Sequence, residues 1–236
     1  MNAKGIFYGV GLGPGDPELI TVAAARVLRQ ADRIFHPASA GSNKSISREI
    51  LNALSVPPEK VEAVSLCMGS DRTQSLAAYR EAANRIADRV GRGELVAFIS
   101  EGDPFFYSTF IYLYEALRTH HPEIPVEIIP GISSVFHAAG RAGMPTARQD
   151  ERVAILPSLA GEEELQRMME QFDTVFLLKL TRSFHVAFAY LQRKGMLDHA
   201  VYLEKIGTPQ ERIERDLLKV DPASLPYFAM LMIRKP

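Results

Sequence analysis

Four glycines at alternate positions, Gly9, Gly11, Gly13 and Gly15, close a short apolar run at 6–10 and lead into Asp16-Pro17-Glu18. An apolar run of that length reads as a buried strand, and side-chain-free backbone directly after it reads as a turn that something approaches closely. Aspartate is a good helix N-cap, proline is tolerated at the first helical position, and an early glutamate complements the positive helix end. The spacing therefore predicts a helix from there through about residue 31. Strand, glycine turn, helix is how an α/β unit begins.

The same alternation continues. Strand-like runs recur at 33–36, 61–64, 95–99 and 126–129, with helical patterns between them, such as 47–54 and 75–90, so a mostly parallel sheet with flanking helices is expected. After Pro130-Gly131 comes a helix near 133–143, then a polar stretch from Met144-Pro145 through Glu151 that reads as a junction. Further strands are expected at 153–156, 174–178, 200–204 and 227–233. The hairpin-like spacing from Glu204 through Asp216 to Tyr227 suggests antiparallel pairing, so the second sheet should be mixed. The expectation is an α/β chain of two lobes, 1–129 and 130–236.

Composition narrows the function. The 236 residues are 47 % apolar and 23 % charged with a formal net charge of −1, the balance of a globular chain without the basic footprint of a nucleic-acid binder. Cys67 is the only cysteine, which leaves no intramolecular disulfide and no cysteine zinc cluster. The start reads as no signal peptide, and the longest apolar runs, near 20–25 and 228–233, fall far short of the ~20 residues of a membrane span. A cytoplasmic protein is expected, with neither membrane nor nucleic acid as partner.

The first turn, Gly11-Leu12-Gly13-Pro14-Gly15-Asp16, is not a dinucleotide fingerprint, because Asp16 stands where the last glycine belongs and a carboxylate there would repel a pyrophosphate. A tight turn with a helix cap would explain it equally well. Glu101-Gly102-Asp103-Pro104-Phe105-Phe106-Tyr107-Ser108 follows the strand at 95–99 and again precedes a helix. Loops at the carboxyl ends of parallel strands form the ligand crevice, and two Gly-Asp-Pro loops on one edge can face each other. For Asp103 alone, another N-cap is the commoner role. Pro130-Gly131-Ile132-Ser133-Ser134 follows a third strand, its serines placed to cap a helix or to bond a ligand. Of the six histidines only His36 ends a strand on the ligand edge, and a structural role is the commoner one there. No metal-ligand spacing, nucleophile elbow or Ser/His/Asp set occurs.

The order GLGPGDPELIT, SEGDPFFYSTFIYL, VEIIPGISS and VFLLKL resembles the tetrapyrrole (corrin/porphyrin) methylase family over essentially the whole chain. Within it, FHPASAGSNKSISREIL, GDPFFYSTFIYL and the stretch leading to SEGDP look like the precorrin-2 / cobalt-factor II C-20 methyltransferases of cobalamin synthesis. The resemblance implies S-adenosyl-L-methionine as cofactor, S-adenosyl-L-homocysteine as product, a small-molecule tetrapyrrole as substrate, and a homodimer with the cofactor in the cleft between lobes. It places cofactor contacts on Pro14, Glu101, Gly102, Asp103, Phe106, Ser133, Ser134, Leu178 and Leu180, with Gly207, Thr208 and Ala229 added. Ala23 stands where the family often has a basic residue, and Cys67 where it has a proline.

A sulfonium donor is already activated, so transfer to a nucleophilic carbon needs alignment and a dry pocket more than a strong base. Glycine turns would let backbone hold the donor, with Asp103 accepting from its polar atoms. Tyr107, His36 or water would take the proton that leaves the methylated carbon. Lys44, Arg48, Arg72 and Arg148 are candidates for the substrate's carboxylates, although each also suits an ordinary solvated charge. The competing readings are a methylase of this fold acting at another ring position or on a non-tetrapyrrole acceptor, a non-catalytic carrier, and a nicotinamide oxidoreductase.

Overall fold

The computed structural model describes residues 5–37, 46–64 and 72–236, with side chains in those stretches except at 72–75. The chain divides into two compact units, one up to Ser133 and one from Ser134.

The first unit alternates strand and helix: β1 (Ile6–Gly11), α1 (Val22–Gln30), β2 (Arg33–Pro37), α2 (Ile46–Ala53), β3 (Val61–Val64), α3 (Arg72–Gly91), β4 (Leu95–Ser100), α4 (Phe110–His120) and β5 (Val126–Ile129). Its five strands run in the order β3-β2-β4-β1-β5, and every pairing is parallel. Strand alternation sends Phe7, Val96 and Phe98 to one face, where they pack with α3 and α4, while Val10, Ala97 and Ile99 pack with α1 and α2 on the other. In α3 the buried positions 79, 82, 83, 86, 87 and 90 recur at helical spacing, which is why this long helix lies flat on the sheet.

The helix expected from residue 16 is split. Asp16 caps only a short 3-10 turn, Pro17–Leu19, by accepting from the Glu18 amide at 2.9 Å, and the backbone then extends at Ile20. Thr21 restarts the helix by accepting from the Ala24 amide at 3.1 Å. The break places Leu19 beneath the glycine turn, its carbonyl 3.1 Å from where a Cβ on Gly13 would stand.

The second unit comprises α5 (Ser134–Ala142), β6 (Val153–Leu156), α6 (Glu162–Gln171), β7 (Thr174–Leu178), α7 (Phe184–Arg193), β8 (Ala200–Glu204), β9 (Arg212–Glu214) and β10 (Ala229–Arg234). The strand order is β6-β7-β10-β8-β9. Only β6 with β7 is parallel; β10 is antiparallel to both β7 and β8, and β8 to β9, so the sheet is mixed as expected. The last strand starts at Ala229 rather than at 227, leaving Tyr227 and Phe228 exposed ahead of it.

The polar stretch at 144–151 is no junction; it belongs to the second unit. Arg234 of β10 donates to the carbonyl of Pro145 at 2.9 Å, to Thr174 Oγ1 at 3.0 Å, and to both carboxylate oxygens of Glu151 at 2.7 and 2.6 Å. Nη2 holds both carboxylate oxygens while Nη1 holds the Pro145 carbonyl and Thr174, so the guanidinium plane is fixed from two sides. This stretch is tied to β10 by an ion pair across 83 positions of sequence.

Candidate functional site

β4, β1 and β5 are neighbours, so the loops at their carboxyl ends emerge side by side. The first two loops pair as a two-residue antiparallel bridge: the Gly102 amide donates to the Gly13 carbonyl at 2.7 Å, and the Gly13 amide donates to the Gly102 carbonyl at 3.2 Å. The third loop joins through Asp103. Its Oδ1 accepts from the Phe105 amide at 2.9 Å, which shapes its own loop, and its Oδ2 accepts from the Gly131 amide at 3.0 Å, which ties in the loop after β5. Asp103 is thus not a helix cap, since α4 begins only at Phe110 behind Thr109. Hydrogen bonds to an ionised acceptor are each worth about 1.5–3 kcal/mol, so this one carboxylate is a substantial part of what holds the loops together.

The glycines serve this junction. A Cβ on Gly131 would stand 2.1 Å from the Gly102 carbonyl oxygen, and one on Gly11 would stand 2.5 Å from the Gly131 nitrogen, distances no side chain tolerates. The sequence left the first glycine loop open between close approach by a ligand and a tight turn, and gave Gly131 no role; the structure assigns Gly11 and Gly131 to close approach by each other. Gly102 differs, because its φ is +70° and nothing lies within 4 Å of where its Cβ would be. Gly102 is where the joined loops present an uncovered Cα, its amide and carbonyl both being taken by Gly13.

Around Gly102 the other predicted residues take distinct places. Pro14 is buried, and Phe106 is half-buried with its ring edge-to-face on Tyr107 at 4.7 Å. Tyr107 is 49 % exposed and has a positive φ of 52°, a conformation that side-chain-bearing residues hold only when their surroundings impose it. Ser108 bonds Ser100 at the end of β4 (2.9 Å) and accepts from the Phe110 amide at 3.1 Å, a latch that sequence reasoning did not single out. Glu101 is open to water at its surface, yet the protein around its carboxyl makes charging costly and raises its pKa; a 3.4 Å hydrogen bond from Ser47 Oγ on α2 works the other way. His36 is the next-to-last residue of β2 and half-buried, with Nδ1 3.1 Å from the Pro37 carbonyl. A carbonyl only accepts, so Nδ1 is the donor in this contact and Nε2 is the ring nitrogen it leaves unused. Ser133 is buried at the end of the first unit.

In the second unit, Ser134 opens α5 and Leu178 ends β7 half-buried. Leu180 is fully buried in that unit's core, and Ala229 is buried at the start of β10 opposite Glu204. Gly207, with a φ of +84°, donates to Glu211 Oε2 at 3.0 Å, and Thr208 donates to the Lys205 carbonyl at 2.8 Å, so these two shape one turn after β8. Of the basic candidates, Lys44 and the side chain of Arg72 lie outside the described residues. Arg48 is exposed on α2, and Arg148 is exposed in the turn that Arg234 clamps, where its amide donates to Glu151 at 2.6 Å. Among the described residues, no group of three or more potential metal ligands occurs, and no helix is long and apolar enough to cross a membrane.

Residues 7–220 match the family model for tetrapyrrole (corrin/porphyrin) methylases. The chain is 34 % identical over 242 residues to the cobalamin biosynthesis protein CobIJ of Mycobacterium tuberculosis, covering 99 % of this chain but 46 % of that longer protein, so it spans about half of that relative. It is 32 % identical to a precorrin-2 C(20)-methyltransferase from a Sinorhizobium species, covering 99 % of this chain and 97 % of the relative. It is 33 % identical to the cobalt-precorrin-2 C(20)-methyltransferase of Salmonella typhimurium, covering 100 % and 98 %. Among solved structures, the cobalt precorrin-4 methyltransferase CbiF shares the fold with a TM-score of 0.72 at 23 % identity over 97 % of this chain and 94 % of that one. A uroporphyrin-III C-methyltransferase from Thermus thermophilus, solved with S-adenosyl homocysteine, does so with a TM-score of 0.64 at 22 % identity over 98 % and 97 %.

Proposed function

We propose, from the premise that this chain belongs to the tetrapyrrole (corrin/porphyrin) methylase family, that it methylates C-20 of precorrin-2 or of its cobalt-containing counterpart in cobalamin biosynthesis. The observation that carries this reading is end-to-end similarity to two C(20)-methyltransferases, one named for the metal-free substrate and one for the cobalt form. The longer CobIJ protein's activity is not transferred, because this chain spans only 46 % of it.

When bound, S-adenosyl-L-methionine supplies a methyl group on a positively charged sulfur and is released as S-adenosyl-L-homocysteine. The residues present fit such a group: Gly102 presents an uncovered, half-buried Cα surface on a platform fixed by Asp103 and the Gly13 bridge, where a ligand can lie close without meeting a side chain. Pro14, Glu101, Gly102, Asp103, Phe106 and Ser133 are proposed as its contacts in the first unit. Ser134, Leu178, Leu180, Gly207, Thr208 and Ala229 are proposed separately for the second, with Leu180 able to offer only backbone because its side chain serves the core. Asp103 acts mainly by positioning, since each of its oxygens already holds a backbone amide. Orientation by so rigid a platform is what an activated donor requires of its enzyme. The proton that leaves C-20 goes to His36 Nε2 or to Tyr107, and the substrate's carboxylates engage Arg48, Arg148, Lys44 and Arg72. A homodimer in the cytoplasm completes the proposal.

The test is incubation with labelled S-adenosyl-L-methionine and either metal-free or cobalt-loaded dipyrrocorphin, followed by location of the new methyl group. Label at C-20 of one or both forms is expected. Label on another ring carbon, or no release of S-adenosyl-L-homocysteine, would sink the reading.

A further inference from the structure

Among the described residues five that bear side chains have positive φ, and two of them are lysines in matching places: Lys179 (φ 51°) directly after β7 and Lys205 (φ 48°) directly after β8. Both β7 and β8 run antiparallel to β10, so they are parallel to each other and their carboxyl ends leave the sheet on one edge. β10 lies between them and begins on that edge. The Lys205 amide donates to the Phe228 carbonyl at 2.8 Å, so the turn after β8 is fastened to the residue preceding β10. The two lysines therefore bracket the start of β10, two strand spacings apart, on the order of 10 Å. At that separation salt water screens most of their mutual repulsion.

Glycine is the usual residue for this backbone conformation. A lysine in that conformation twice, at equivalent strand ends, draws attention to what the side chains do. Among the described residues neither ammonium has an ion pair or a hydrogen bond, whereas the arginines of this unit at 141, 193, 212 and 234 all face carboxylates. Between the two lysines, Tyr227 and Phe228 stand 61 % and 48 % exposed, their rings edge-to-face at 5.1 Å. Exposed paired aromatics flanked by cations suit a ligand with a flat apolar body and an acidic periphery.

We propose that Lys179 and Lys205, with Tyr227 and Phe228 between them, form a carboxylate-binding edge on the second sheet that takes acidic side chains of the tetrapyrrole. This rests on the substrate class assigned above. The four basic residues picked from the sequence do not include either lysine, because nothing in local pattern marks a lysine that follows a strand in the left-handed region.

The probe is uroporphyrin, a tetrapyrrole bearing eight carboxylates, titrated by fluorescence at low and high salt against the wild-type chain, Lys179→Ala, Lys205→Ala and the double variant. S-adenosyl-L-homocysteine affinity is measured in parallel by calorimetry. Each single change should weaken uroporphyrin about tenfold, the double change about a hundredfold with a flatter salt dependence, and arginine at either position should restore most of the loss. S-adenosyl-L-homocysteine affinity should be unchanged. Lys179→Gly should raise the melting temperature by roughly 2–4 °C while weakening uroporphyrin as alanine does, a split that a merely structural lysine would not give. Wild-type affinity in the variants, or no uroporphyrin binding by the wild-type chain, overturns the proposal. Loss of S-adenosyl-L-homocysteine affinity instead would assign the lysines to the donor's carboxylate and overturn it too. Uroporphyrin binding that depends on the lysines, in a chain that methylates no dipyrrocorphin, would remove the C-20 reading and leave the edge standing.

Discussion

The carboxyl edges of the two sheets solve the same problem in opposite ways. In the first unit, loops that crowd together carry glycine at each point of contact, and backbone meets backbone at Gly13, Gly102, Gly11 and Gly131. In the second, Lys179 and Lys205 hold similarly demanding backbone with full side chains, at a cost on the order of 1 kcal/mol each. The difference separates two uses of strained turns. Where no side chain fits, glycine is a packing requirement. Where lysines take such a conformation at two equivalent strand ends, the proposed use lies in the side chain.

The sharpest way to break this comparison is Gly131→Ala. Its Cβ would stand 2.1 Å from a backbone oxygen, which only movement of a loop can relieve, so a loss of about 3 kcal/mol in urea unfolding is expected, with loss of S-adenosyl-L-homocysteine binding. Gly102→Ala meets open space and should cost only about 1 kcal/mol, from its φ alone. Equal losses would show that crowding is not what the glycines answer. Next is Asp103→Ala, which removes the acceptor for the Phe105 and Gly131 amides; about 3 kcal/mol of stability should go, with at least a tenfold fall in S-adenosyl-L-homocysteine affinity by calorimetry. Unchanged affinity would count decisively against the platform.

Two acid–base predictions are smaller and opposite in sign. Burial raises the pKa of Glu101, so the folded chain binds the proton more tightly; the stability it contributes is complete below the ordinary value of 4.5 and is lost as pH rises through the raised value. Glu101→Gln should therefore melt above wild type at neutral pH, with the gap closing in acid. In the second unit, the hydrogen bond from Arg234 lowers the pKa of Glu151. That contribution is present above the ordinary value and is lost as pH falls through the lowered one, so Glu151→Gln should melt below wild type at neutral pH and converge with it in acid. Melting curves across pH that move in the same direction for both variants would contradict the two environments.

Much of the molecule is legible in its sequence because strands and turns are local. Apolar runs, glycines and caps fixed nine strand positions to within a residue or two, the alternation with helices, and the mixed character of the second sheet; only the short β9 went without a strand assignment of its own. The order of the motifs pointed to the family without any structure. What the tertiary structure alone decided is who meets whom. Asp103 reads locally as a cap, yet its second oxygen belongs to Gly131, 28 residues on. The helix at Asp16 carries good starting signals, yet it breaks so that Leu19 can lie under Gly13. Glu151 and Arg234 look like ordinary charges until the fold brings them together across 83 positions. Periodicity reports which face a residue takes; partners distant in sequence are chosen by how the strands are ordered, and no local pattern records that order.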